Sequence, residues 1–256
     1  MSKKARNTSR ELRQAQVASR QLSQQRHRNL AVGGAFVIVG LLVAIVIAVV
    51  NATGGGAGSG GGASSAKPVV VPATATSAGA LAVGKADAPV KVEVYLDYMC
   101  PFCGRFERAN GTELDRLVAD GTVRLEIYPL SFLDRVSNGT KYSTRAANAV
   151  ATVADRAPDM IMAFNQALYG KQPAEGTAGL SNDEIAILAS GAGVPQDVVN
   201  TFPERIFEPW VAVSTTAAFE RGVTGTPTVK INGAVFKGDL YTVGPLTEAI
   251  NAAKVR

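Results

Sequence analysis

Val90-Lys-Val-Glu-Val-Tyr-Leu-Asp-Tyr-Met-Cys-Pro-Phe-Cys103 is the stretch on which the fold turns. Its first seven residues alternate and are rich in β-branched and aromatic side chains, which predicts a strand ending just before Cys100. Pro101 suits the first turn of a helix, where no partner for its missing N–H is needed and its fixed φ already fits. The pattern from Phe106 to Val118 continues that helix until Asp120-Gly121 breaks it. Cys100 and Cys103, the only two cysteines in the chain, therefore stand at a strand-to-helix junction. A thiolate at a helix start is stabilised by unpaired backbone N–H groups and the positive end of the helix dipole, which lower its pKa below the free value of ~8.5. Cys100 is thus the candidate nucleophile, and Cys103, one turn deeper, the candidate resolving thiol.

Downstream, Val123-Arg-Leu-Glu-Ile-Tyr128 is a second alternating strand. From about Thr140 to Arg221 the character is helical, with helices predicted over 141–155, 159–168, 183–189 and 204–221. Strands return at Thr228-Val-Lys-Ile and Ala234-Val-Phe-Lys, joined through Asn232-Gly233, a strong short hairpin signal. A last helix is expected over 245–255. The order is βαβ, a helical block, then ββα.

Two other uses of a Cys-x-x-Cys pair have to be weighed. A zinc half-site needs further ligands, but the chain has no third Cys, and its only His, His27, lies on the far side of a long apolar run. A structural disulfide closing so short a loop would constrain the unfolded chain little. Neither a metal nor another cofactor is expected beyond a redox-active Cys100–Cys103 pair.

That apolar run extends from Leu30 to Val50, 21 residues without a charge. As a helix it spans ~31 Å, the thickness of a bilayer's hydrocarbon core, and it reads as a single transmembrane helix. Eight basic residues and one acidic residue precede it, so residues 1–29 are expected in the cytoplasm and the rest outside. A cleaved secretory signal is the alternative, with Val50-Asn51-Ala52 as its small-residue site, and it exports the C-terminal part equally. Residues 51–84, rich in Gly, Ala, Ser and Pro, read as a flexible linker that holds the folded part ~30 Å from its anchor. The 228 residues after Arg28 hold 18 basic and 20 acidic groups, a net of −2, so the basic pI belongs to the tail and gives the folded part no nucleic-acid footprint.

Asp97-Tyr-Met-Cys-Pro-Phe-Cys-Gly-Arg-Phe106, together with Gly222-Val-Thr-Gly-Thr-Pro-Thr-Val-Lys-Ile-Asn-Gly233, resembles the DsbA-like branch of the thioredoxin superfamily. The resemblance covers residues 85–256. It implies an α/β thioredoxin fold with a helical insertion at about 140–221. It also implies a cis Thr226–Pro227 bond facing the cysteines, and it makes Pro101, Phe102, Thr226 and Pro227 substrate-facing. DsbA-like oxidants of the Cys-Pro-His-Cys type carry an imidazole where this chain has Phe102. Asp97 is a candidate modulator, either as a nearby acid or base or through its charge; a plain strand-end polar role is the alternative.

The expected activity is extracytoplasmic thiol–disulfide exchange that introduces disulfides into reduced exported polypeptides. The resemblance implies a membrane quinone-linked thiol oxidase as electron acceptor. A reductase or isomerase of the same fold, and a non-catalytic tethered redox sensor or binding module, are the competing expectations.

Overall fold

The computed structural model describes residues 68–254. The basic segment 1–29, the span assigned to 30–50 and residues 51–67 of the linker lie outside the described residues. Among those described, no helix is long and apolar enough to cross a membrane.

Five strands form one sheet in the order β1-β3-β2-β4-β5. They are β1 (Leu81–Val83), β2 (Val90–Leu96), β3 (Val123–Pro129), β4 (Thr228–Ile231) and β5 (Ala234–Val235). Only β2 and β3 run parallel; the other pairs are antiparallel. The crossover between β2 and β3 is α1 (Pro101–Ala119). The insertion holds α2 (Tyr142–Arg156), α3 (Ile161–Gly170), α4 (Asn182–Gly191), α5 (Gln196–Val199) and α6 (Glu208–Glu220), and α7 (Pro245–Ala253) closes the fold.

β2 alternates in chemistry but not in burial, because both faces of the sheet are covered. Val90, Val92, Val94 and Leu96 join Leu125 and Ile127 in the main core, with Phe106, Leu114 and Leu117 of α1 and Leu246 and Ile250 of α7. On the opposite face Tyr95 stacks on Tyr128 with centroids 4.1 Å apart, against Ala218 of α6 and Val223. Farther along that face Lys91 bridges Glu93 (3.6 Å) and Glu126 (3.7 Å), which gives two buried carboxylates a shared, half-exposed cation.

The boundary at Lys85 needs correcting. Leu81–Val83 pairs with Leu125–Ile127 as an edge strand, and Ala80 and Leu81 are fully buried. The domain therefore begins within the stretch read as linker. A strand of three residues is too short to show a period, so a low-complexity composition hid it.

The helix expected over 204–221 starts later, at Glu208. Pro209 is tolerated only in a first turn, because deeper in a helix its ring clashes with the carbonyl four residues back. Arg205 takes a left-handed conformation (φ 54°) just ahead of it. Asp134 accepts from the Thr144 N–H (3.0 Å) and hydroxyl (2.6 Å) in the first turn of α2. The hairpin forms as expected, with Asn232 and Gly233 both at positive φ. Its second strand is short, ending at Val235, and the chain bends at Gly238, where a Cβ would collide with the Phe236 ring.

Candidate active site

The register of the sheet assembles the site. Tyr95 pairs with Thr228 across β2 and β4, so the chain just before Thr228 runs beside the segment that follows β2. The Thr226–Pro227 bond is cis, as the resemblance implies, and the Thr226 carbonyl oxygen lies 3.3 Å from Cys100 Sγ. Two segments 126 residues apart in sequence thus meet at one sulfur.

Cys100 is the N-cap of α1, in extended conformation, with Pro101 in the first turn. Its carbonyl accepts the N–H groups of Cys103 (3.0 Å) and Gly104 (3.2 Å). Both cysteines are free thiols; Cys100 is 5% exposed and Cys103 fully buried. The two titrate in opposite directions. Cys100 is lowered to about 6, first by a hydrogen bond with the Cys103 thiol, then by the Thr226 side chain and the N–H groups of Cys103 and Phe102, against the cost of burial. Cys103 is raised well above the usual thiol value, chiefly by burial and then by the Cys100 sulfur it serves. One thiol is a ready nucleophile and leaving group at neutral pH; the other keeps its proton.

Asp97 is fully buried. Its Oδ1 accepts from the Met99 N–H (2.9 Å) and the Ser143 hydroxyl (2.7 Å), and its Oδ2 from the Leu133 N–H (2.9 Å). Burial pushes its carboxyl up to about 7, and these donors pull it only partly back. It is therefore more than a strand-end polar residue, since it ties the turn before Cys100 to the loop after β3 and to α2.

Phe102 is 49% exposed beside the site. Its ring meets Tyr241 at 5.9 Å, and the Arg105 guanidinium sits 4.6 Å over the Tyr241 ring. Tyr98, Tyr128 and Trp210 are core residues. Sequence reasoning missed several neighbours. Glu107, one turn beyond Cys103 on the buried stripe of α1, is pushed up to about 7 by burial, and its Oε1 has no hydrogen-bond partner. The helical spacing 103, 107, 110, 114 was its visible signal. Tyr169 and Gln172 reach the cysteine turn from the insertion, and nothing in their local sequence announces it.

Fold and site define a thiol–disulfide oxidoreductase domain: a thioredoxin fold with a helical insertion, two thiols of opposed acidity at a strand–helix junction, and a Thr-Pro turn against the outer sulfur. The family model described as thioredoxin matches residues 76–252, and the chain belongs to that family. Among solved structures it is similar to the reduced disulfide bond oxidoreductase DsbG from Mycobacterium tuberculosis, at 30% identity and TM-score 0.59, covering 68% of this chain and 86% of that one. Disulfide bond formation protein D of Bacillus subtilis is 29% identical over 162 residues, 62% of this chain and 70% of that protein. A 122-residue stretch, 46% of this chain, is 34% identical to part of the serine/threonine-protein kinase PknE of Mycobacterium tuberculosis, and it spans only 22% of that kinase's length.

Proposed function

We propose that this chain introduces disulfides into reduced polypeptides outside the cytoplasm, tethered through the apolar run at 30–50. The observation that carries the direction of electron flow is the opposed acidity of the two thiols. A stabilised Cys100 thiolate favours the dithiol over the disulfide form, so the disulfide form is the one that takes electrons from a substrate.

In the proposed cycle a substrate thiolate attacks Cys100 Sγ of the Cys100–Cys103 disulfide. The Cys103 sulfur leaves and takes up a proton, as its raised pKa demands. The substrate's second thiolate then attacks the substrate sulfur of the mixed disulfide and expels Cys100 as a thiolate, a good leaving group at about 6. Two electrons pass to the protein, and the substrate gains one disulfide. The main chain of Thr226 lies where a substrate strand reaching Cys100 would run, with Pro227, Pro101 and Phe102 as the surrounding surface. A quinone-linked thiol oxidase in the membrane takes the electrons onward, and the tether keeps the domain near it.

The test is the reduction potential of the Cys100/Cys103 pair in the full-length chain, equilibrated against glutathione. A value toward about −120 mV supports a disulfide donor; a value near about −270 mV makes the protein a reductant and overturns the proposed direction. The roles are tested separately. Cys100→Ser abolishes exchange, whereas Cys103→Ser accumulates mixed disulfides with substrate, seen on non-reducing gels. Exchange surviving in Cys100→Ser would show the role assignment to be wrong.

A further inference from the structure

The turn that carries the nucleophile is held from the helical insertion more than from the sheet. Tyr169, in the last turn of α3, donates its hydroxyl to the Asp97 carbonyl (3.2 Å). Three residues on, Gln172 Nε2 donates to two carbonyls at once, those of Tyr98 (3.1 Å) and Cys100 (2.8 Å). Below them, the Tyr98 hydroxyl donates to Asn165 Oδ1 (3.0 Å) and the Ser143 hydroxyl to Asp97. Every residue from Asp97 to Cys100 except Met99 is thus bonded to α2, α3 or the residues just after α3. The Cys100 carbonyl is the most heavily used, since Gln172 adds a third donor to the Cys103 and Gly104 N–H groups.

Gly104 makes this approach possible. A Cβ at that position would stand 2.1 Å from Gln172 Oε1 and 3.0 Å from its Cδ, so any larger residue would push the amide away. Glycine costs ~1 kcal/mol relative to alanine inside a helix. Gly104 sits in the first turns of α1 at a backbone conformation that any residue adopts, so the reason that remains is crowding, chiefly by Gln172 and more weakly by Arg108 Nη1 at 3.2 Å.

We propose that Gln172 is a positioning residue for the nucleophile: by fixing the Cys100 carbonyl it sets the Cys100 side chain against the N–H groups of Phe102 and Cys103 and against Thr226, and Gly104 is the notch that admits it. The inference rests on thiol–disulfide exchange at Cys100, but its test does not require turnover. Without the amide, the first turn of α1 loses its outer donor, the alignment of N–H groups on Sγ loosens, and the thiolate is less stabilised. The other groups facing this sulfur are Cys103 on α1, Asp97 in the preceding turn and Tyr241 from the loop before α7, with Tyr169 of α3 facing Cys103. None is altered by the substitutions below.

The experiment is a pH titration of thiolate ultraviolet absorbance in the reduced full-length chain, where Cys100 and Cys103 are the only cysteines. Gln172→Met keeps the length and removes the donor; it raises the Cys100 midpoint by about one pH unit, or about tenfold less thiolate below both midpoints. Gly104→Ala raises it comparably by displacing the intact amide. The double variant Gly104→Ala/Gln172→Met shows no more than one single effect, because both act through one contact. A structural role alone lowers the melting temperature and leaves the midpoint in place, and that result in Gln172→Met overturns the proposal. Should Gln172→Met fail to fold, Gly104→Ala decides: an unmoved midpoint overturns the proposal, and a raised one supports it. An oxidase proposal that failed on the reduction potential would leave this titration interpretable, since it measures the thiolate alone.

Discussion

Cys100 holds its thiolate with neutral donors only: the Cys103 thiol, Thr226, and two backbone N–H groups. Phe102 brings an exposed ring, and the Arg105 guanidinium is stacked over Tyr241 and Phe102. Phe102→His should therefore add a cation beside a sulfur whose main stabilising contacts are neutral. The expected result is a thiolate pKa lower by about one unit and a potential more oxidising by about 30 mV, read from thiolate absorbance and glutathione equilibria. An unchanged pKa would mean that the side chain at 102 points its charge into solvent. At Asp97 the expectation is structural. Its two oxygens serve three donors, so Asp97→Asn sets an NH2 group against either the Leu133 N–H or the Met99–Ser143 pair. A loss of about 1–3 kcal/mol in denaturant unfolding should follow.

Among the elements, β1 separates two ways of cutting the chain. A chain beginning at Lys85 lacks Ala80 and Leu81, both fully buried, and leaves the outer edge of β3 unpaired. Burying an apolar side chain is worth ~1.5–3 kcal/mol, and an open strand edge invites pairing with other chains. The chain from Lys85 should therefore melt lower than one from Pro68 and aggregate on heating, as followed by circular dichroism and light scattering. Equal melting temperatures would remove β1 from the fold's essential parts. The same element shows what could be read from sequence. Val90–Leu96, α1 and the Asn232-Gly233 hairpin were legible because each carries its own period or turn chemistry. β1 has three residues and no period. Pro209 was present in the sequence, but the helical pattern around it masked the late start of α6. At the site, Cys100 and Cys103 follow from local sequence, and Thr226 and Pro227 from resemblance. Gln172 and Ser143 act across 72 and 46 residues, distances over which a single sequence carries no signal.

For the molecule as a whole, the buried ionisable groups pull stability in two directions with pH. Asp97 and Glu107 are both raised to about 7, from 3.8 and 4.5. Between those limits the unfolded chain has released the protons that the folded chain keeps. Stability present in full below pH ~4 is therefore lost as pH rises toward 7, by an amount on the order of a few kcal/mol. Glu107→Gln, which leaves no charge to bury, should flatten part of this loss. Cys100 acts oppositely and only when reduced. Its pKa falls from 9.0 to about 6 on folding, so its contribution is complete above 9 and is lost as pH falls through 6. Denaturant unfolding of both redox forms across pH 5–9 should therefore show the reduced form gaining on the oxidised one from pH 6 upward. In reduced Cys100→Ser that gain should vanish. A redox difference that stayed flat across this window would mean that the Cys100 thiolate is no more stable folded than unfolded, and the disulfide would then have no thiolate stabilisation to make it oxidising.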